Sequence, residues 1–96
     1  MIDKPENKEE IRELYRILLS LDSEEECEAL MSDLCTYKEI ENMAMRIKAA
    51  KLLMEGKTYN QVIQETNISS ATLSRVSRCV KYGDGYNSVL KKKDND

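Results

Sequence analysis

The chain has 96 residues, of which 34% are charged, 41% are hydrophobic and only one is proline. This length and composition predict a single small domain built mainly from α-helices. Histidine is absent, and the sequence shows no glycine-rich phosphate loop, nucleophile elbow or distinct carboxylate pair, which argues against an enzyme. The absence of a long apolar run and of a secretory signal indicates a cytoplasmic protein with no membrane partner.

The three cysteines point to a reducing compartment. Cys27, Cys35 and Cys79 are odd in number and lack the spacing of a metal site. We interpret them as reduced side chains that behave as small hydrophobic groups, and we expect neither a metal nor a cofactor.

The formal net charge of −3 is unevenly distributed. Residues 1–41 contain 13 acidic and 5 basic side chains, whereas residues 42–96 contain 5 acidic and 10 basic ones. A basic C-terminal half could face nucleic-acid phosphates while the acidic half points away from them. The alternative is an ordinary solvated surface, which needs no partner.

Two helices are predicted in the acidic half, after a loose start at residues 1–7. Apolar residues spaced by three and four positions predict the first helix, which ends near residues 20–22. Ser23 and Glu26 form the S-x-x-E pattern of a capping box and predict the start of the second. The first helix carries Ile11, Leu14, Tyr15, Leu18 and Leu21 on its apolar side, and the second carries Cys27, Leu30, Met31, Leu34 and Cys35.

The third helix is predicted to be the longest. Thr36 and Glu39 repeat the capping-box pattern, and no proline or glycine follows until Gly56. Its apolar residues cover more than one stripe, which predicts burial on several sides. A second copy of the chain is the simplest source of the missing surface, so the sequence predicts a homodimer into which the N-terminal helices also pack.

The segment from Thr58 to Arg78 has the spacing of a helix-turn-helix. Thr58 and Gln61 form a third capping box, the first helix of the pair ends near residues 65–66, and Ser69 can cap the second. Asn67 stands at the turn, where the backbone must enter a left-handed conformation that glycine and asparagine adopt most cheaply. The inward positions are assigned to Ile63, Ile68, Leu73 and Val76.

This motif predicts binding to double-stranded DNA, with the N-terminal half of its second helix in the major groove. The candidates for base contacts are Ser69, Ser70, Ala71 and Ser74. The candidates for backbone contacts are Lys57, Asn60, Gln61, Gln64 and Arg78. Several residues of the motif have alternative roles. Thr58 and Ser69 can be helix caps, Thr72 can hydrogen-bond within its own helix, and Arg78 can form an ion pair. The motif itself could instead serve protein contacts or be a coincidental helical hairpin.

The C-terminal segment begins at the turn of residues 82–85. Val89 and Leu90 form a short apolar patch that predicts either one helical turn or a tail. We assign residues 1–90 to one domain and residues 91–96, with three lysines, to a basic disordered tail.

Four short motifs stand out within about residues 30–82: Met45-Arg46-Ile47, Leu52-Leu53, Gly56 and Ser70-Ala71-Thr72-Leu73-Ser74-Arg75. They resemble the Trp repressor superfamily. The resemblance implies an all-helical intertwined dimer with two helix-turn-helix heads that bind successive major grooves of a palindromic operator. The turn at residues 82–86 is similar to that of a small Trp-repressor-like group labelled YerC/YecD.

The resemblance also implies a small-molecule effector site. Arg46 and Arg75 match two arginines that sandwich tryptophan in that superfamily, and Thr36 matches a threonine of the pocket. However, Val76 replaces a glycine and would intrude on the indole, and Cys79 replaces a serine, so tryptophan is disfavoured. Alternatively, the two arginines form ion pairs or cover the junction of the third and fifth helices.

Other departures concern DNA and the dimer. Gln61 and Gln64 replace two basic residues, which lowers the expected phosphate contribution. The turn is one residue shorter than in the superfamily, and the C-terminal helix is cut down to residues 86–90.

Together these features predict a dimeric, sequence-specific DNA-binding transcriptional regulator, acting as a repressor in a bacterial cytoplasm and associated with the nucleoid when bound. The alternative is a small helical, dimeric protein-interaction domain of the transcription machinery. The outward positions of the last motif helix are small or polar rather than large and apolar, which favours DNA.

Overall fold

Six α-helices make up the fold of this chain, for which a computed structural model describes residues 6–94, with side chains described as far as Lys91. No strand occurs within that range, so the predicted all-α class is confirmed. None of the helices in it is both long and apolar enough to cross a membrane. The helices are α1 (Lys8–Leu19), α2 (Glu24–Leu34), α3 (Tyr37–Met54), α4 (Tyr59–Thr66), α5 (Ser70–Tyr82) and α6 (Gly85–Asp94).

The chain divides into two compact units, Met1–Tyr37 and Lys38–Asp96. In the first unit, the Ser23 Oγ accepts a hydrogen bond from the backbone N–H of Glu26 at 3.1 Å. The Glu26 carboxylate in turn accepts one from the backbone N–H of Asp22 at 2.8 Å. The predicted start of α2 is therefore confirmed. The loose start predicted for residues 1–7 falls mostly on residues 1–5, which lie outside the described residues.

The helices α1 and α2 contain no buried residue. The apolar stripe of α1 is only partly covered: Leu14 and Leu18 are each 38% exposed and Tyr15 is 58% exposed. An amphipathic helix normally buries such a stripe against another surface. The first unit therefore has an apolar face that is partly exposed to solvent.

The core of the second unit lies where α3, α4, α5 and α6 supply small and branched side chains. Two alanines of α3, Ala49 and Ala50, are fully buried and allow neighbouring helices to approach closely. Leu73 and Val76 face inward, as the helix-turn-helix spacing predicts. On α4, Val62 is fully buried, whereas the predicted anchor Ile63 is half-buried and packs against the core. The buried hydrophobic residues are Ala49, Ala50, Val62, Leu73, Val76 and Leu90.

The helix α3 is only partly buried in the single chain. The helix is the longest of those described, with 18 residues, as expected. In the single chain only two of its residues are buried, and Ile47 is 45% exposed. Burial on several sides, for which the sequence requires a second copy of the chain, stays a prediction. The apolar residues of α3 are too widely distributed around the helix for α4, α5 and α6 to cover them all.

The C-terminal segment forms a longer helix than the predicted single turn. Tyr86 and Leu90 stand four residues apart on α6, and both pack in the core region, which anchors the helix. Its backbone stays helical through Asp94, where the sequence predicts a disordered tail from residue 91 onward. Residues 95 and 96 of that predicted tail lie outside the described residues.

Candidate nucleic-acid interface

A complete capping box opens α4. The Thr58 Oγ1 accepts from the backbone N–H of Gln61 at 3.2 Å, and the Gln61 Oε1 accepts from the backbone N–H of Thr58 at 2.8 Å. Both bonds satisfy N–H groups that have no partner inside the helix. The sequence prediction of this helix start is confirmed.

The turn between α4 and α5 depends on Asn67. Its backbone is left-handed, with φ 60° and ψ 24°, as predicted. The buried Thr66 stabilises the same turn, because its Oγ1 donates to the carbonyl of Val62 at 2.7 Å and accepts from the N–H of Ile68 at 3.4 Å. Ser69 then caps α5 by accepting from the N–H of Thr72 at 3.1 Å. Each of these contacts lies within five residues, so the turn is encoded locally.

The helix α5 has two different faces. Leu73, Val76 and Ser77 are buried on the inward face. Ser70, Ser74 and Arg78 follow each other at intervals of four residues and are exposed. This division leaves a row of small and basic side chains free on the outward face, which suits close approach to another molecule.

The nine predicted DNA contacts are all exposed. Lys57 precedes α4, which carries Asn60, Gln61 and Gln64 on its surface; the remaining five lie at the cap or on the outward side of α5. Two of them have local roles as well: Gln61 completes the capping box, and the Ser69 Oγ donates to the Thr72 Oγ1 at 3.0 Å in addition to capping α5. Their contact with DNA stays a prediction.

The arginines of this region form no ion pair with any described side chain. Among the described side chains, the one ion pair joins the Arg16 Nη1 to the Glu13 Oε1 at 3.5 Å. Arg46, Arg75 and Arg78 therefore lack the ion pairs that the sequence offered as alternative roles. Their positive charge remains available to an anionic partner.

Lys48 connects the motif to α3. Its Nζ donates to the backbone carbonyl of Glu65 at 3.5 Å, in the last turn of α4. A cation at the C-terminal end of a helix interacts favourably with the carbonyl groups that lack partners there. Sequence reasoning missed this residue, because it lies 17 positions from its partner.

Arg46 and Arg75 line one cleft of about 400 Å³ between α3, α5 and α6. The structure thus brings together two of the three predicted effector residues. Val76 and Cys79 also line the cleft, together with Tyr86, whose position sequence reasoning did not predict. Thr36 belongs to the other unit, so its part in an effector site stays a prediction. The described residues contain no group of three acidic, cysteine or histidine side chains suited to a metal ion.

With this arrangement of helices, the chain matches the model of the family described as Trp repressor protein over residues 7–94. The chain belongs to the Trp repressor protein family. The match extends across all six helices of the described fold, from the cap of α1 to the end of α6.

Individual relatives agree with this assignment. The chain is 46% identical over 90 residues to the uncharacterized protein YerC of Bacillus subtilis (strain 168), covering 93% of this chain and 86% of the relative. A crystal structure of a Staphylococcus aureus protein, provisionally assigned as a Trp repressor, is 36% identical with a TM-score of 0.83, covering 90% and 87% of the two chains. A TrpR-like protein from Eubacterium eligens ATCC 27750 is 34% identical with a TM-score of 0.85, covering 90% of each chain.

Proposed function

We propose that this member of the Trp repressor family is a homodimeric, sequence-specific DNA-binding transcriptional regulator that acts as a repressor in the bacterial cytoplasm and binds DNA through α4 and α5. The supporting observation is the two-faced α5, with Leu73 and Val76 buried and Ser70, Ser74 and Arg78 exposed. Such a helix can enter a major groove while its other face stays in the core.

The side chains on the outward face fit distinct tasks. Ser69, Ser70 and Ser74 can bond to base edges or phosphates, and the Ala71 methyl can pack on a thymine methyl. Lys57 and Arg78 supply charge for phosphates, and Asn60, Gln61 and Gln64 supply neutral donors. Because hydroxyl groups discriminate bases weakly, DNA shape and bridging water contribute to the specificity.

The proposed dimer accounts for the apolar surface that a single chain leaves open. The groove lined by Ile47, Tyr86, Val89 and Leu90 is one part of this surface, and the uncovered stripe of α1 is another. Burial of both in a second copy would remove them from water. Two helix-turn-helix motifs related by a two-fold axis would then bind a palindromic site.

A mobility-shift assay at low salt tests the proposal. Full-length protein should shift a subset of genomic fragments, with the promoter of its own gene included among them, and Arg78→Ala should weaken every shift. Ser70→Ala and Ser74→Ala should instead change the ranking of the fragments. Failure to bind any fragment at low salt would exclude the proposal.

The alternative of a protein-interaction domain is favoured by one observation, the almost entirely apolar groove beside α6. Capture of a transcription component by a protein that shifts no DNA would favour that alternative. The N-terminal half of the exposed face of α5 favours DNA, because it carries Ser70, Ala71 and Ser74 rather than large apolar side chains.

The cleft of Arg46 and Arg75 is the proposed effector site, with Thr36 as a third candidate. Guanidinium groups suit carboxylates and planar ligands, and Val76 argues against an indole between the two arginines. A thermal-shift screen of amino acids and other small carboxylates tests this site. Absence of any hit at millimolar concentration, or only hits that Arg75→Ala leaves unaffected, would exclude it, since Arg75 lines this cleft and not the second one.

A further inference from the structure

A second cleft, of about 490 Å³, lies between the N-terminal half of α3 and the turn of the helix-turn-helix. It differs from the cleft of the two arginines, because Arg75 does not line it and only Arg46 and Thr72 are common to both. Its volume is within the range of small-molecule sites. The lining residues include Lys38, Glu41, Asn42, Met45, Asn67 and Ile68.

The α3 wall of this cleft carries polar groups at a regular interval. Lys38, Asn42 and Arg46 follow each other every four residues and therefore stand in one row on the helix. The side chains of these three residues and of Glu41 make no hydrogen bond or ion pair within the described part of the chain. Their hydrogen-bonding capacity is thus available to a ligand.

The opposite wall offers fewer free polar groups. Ser69 and Thr72 bond to each other, and Thr66 is committed to the turn. Ile68 on this wall and Met45 on α3 are half-buried and provide an apolar surface. The cleft therefore has charged side chains on the α3 wall and, on the other wall, no charged side chain and the Asn67 amide as its uncommitted polar group, which favours a ligand whose charged groups face α3.

We propose that this cleft binds a small dicarboxylate, with acidic amino acids included in the class. Lys38 and Arg46 stand eight residues apart, about 12 Å along the helix axis, and leave Asn42 between them. Each cation can take one carboxylate, and the amide of Asn42 can donate to either. Glu41 is placed to accept from an amino or hydroxyl group of the ligand.

Binding would affect the orientation of the motif, since α3 forms one wall and the turn at Asn67 contributes to the other. A ligand that bridges the two walls would favour one orientation of α5. This regulatory consequence rests on the proposed function, whereas ligand binding itself does not.

Isothermal titration calorimetry of full-length protein without DNA tests the proposal, with succinate and L-glutamate as probes and L-glutamine as the comparison lacking a second carboxylate. At least one dicarboxylate should bind saturably and more tightly than L-glutamine. Lys38→Met and Asn42→Ala should each weaken binding about tenfold or more, equivalent to about 1.4 kcal/mol. Circular dichroism would verify that these exposed substitutions leave the fold intact.

Two controls separate this cleft from other anion sites. Lys51→Met changes an exposed lysine on the same helix outside the cleft, and Arg75→Ala changes the neighbouring cleft, so both should retain binding. Absence of saturable heat would overturn the proposal, as would binding that Arg75→Ala abolishes and Lys38→Met leaves unchanged. Weaker DNA binding by Lys38→Met without dicarboxylate binding would assign the cations to DNA phosphates and also overturn it.

Discussion

The side-chain amide of Asn87 donates a hydrogen bond of 2.7 Å to the backbone carbonyl of Val80, and so joins α6 to the last turn of α5. The same Nδ2 lies 3.2 Å from the carbonyl of Gly83. One amide thus satisfies two carbonyl groups that the helix end leaves without partners. This contact seats α6 against α5, and thereby places Tyr86 in the cleft of the two arginines.

We predict that Asn87→Ala lowers the free energy of unfolding by about 1–2 kcal/mol, because the part-buried carbonyl of Val80 loses its partner. Denaturant unfolding at a fixed chain concentration measures the effect. Asn60→Ala, on the exposed surface of α4, is the matched control and should change stability by less than about 0.5 kcal/mol. Equal losses in the two variants would show that the Asn87 contact is unimportant.

Gly83 and Gly85, between α5 and α6, should differ in their tolerance of substitution by alanine. A Cβ on Gly83 would lie 2.8 Å from the carbonyl oxygen of Cys79, whereas one on Gly85 would meet nothing within 4 Å. The N–H of Gly83 bonds to that same oxygen at 2.8 Å, so the carbonyl cannot easily move. Gly83→Ala should therefore destabilise by about 1–3 kcal/mol, and Gly85→Ala should be close to neutral. Thermal unfolding measures the effect. Equal melting temperatures of the two variants would contradict this explanation.

The turn at Asn67 should tolerate glycine but not alanine. A left-handed backbone costs about 1–2 kcal/mol for a residue with an ordinary Cβ. Asn67→Ala should therefore lose stability by roughly that amount, and Asn67→Gly should stay near the parent protein. Unfolding curves compare the three proteins directly. A glycine variant as unstable as the alanine variant would mean that the asparagine side chain, rather than the backbone conformation, matters here.

The proposed dimer should depend on the apolar stripe of α1. Leu14→Glu combined with Leu18→Glu puts two charges on that stripe and should shift sedimentation from twice the 11.1 kDa chain mass toward the single-chain mass. Leu19→Glu, at a position already 86% exposed, is the control and should leave the dimer intact. A parent protein that sediments as a single chain at all concentrations would exclude the dimer.

Local features of the fold could be predicted from the sequence. The capping box at Thr58, the cap at Ser69 and the left-handed Asn67 each depend on residue types within a few positions of each other. The inward positions of α5 follow from helical periodicity, which places Leu73 and Val76 on one face. The all-α class follows from the same short-range signals.

Features that depend on helices distant in sequence could not be predicted. Whether Val62 or Ile63 faces the core is set by the rotation of α4 against α3, since adjacent apolar residues leave both choices open. The length of α6 depends on the anchors Tyr86 and Leu90 and on the Asn87 contact. For the second cleft, the sequence offered one usable signal, the four-residue spacing of Lys38, Asn42 and Arg46, but it did not indicate that the turn at Asn67 faces them.

Salt-dependent binding to duplex DNA is the most direct test of the central claim. Fluorescence anisotropy would give the affinity for the fragment bound best, measured over a series of salt concentrations. The parent protein should lose affinity steeply as salt rises, and Arg78→Ala should make the logarithmic slope shallower by about 2, one phosphate contact for each chain of the dimer. The control Arg16→Ala, in the N-terminal unit, should leave the slope unchanged. No binding at low salt, or an unchanged slope in Arg78→Ala, would contradict DNA recognition through α5.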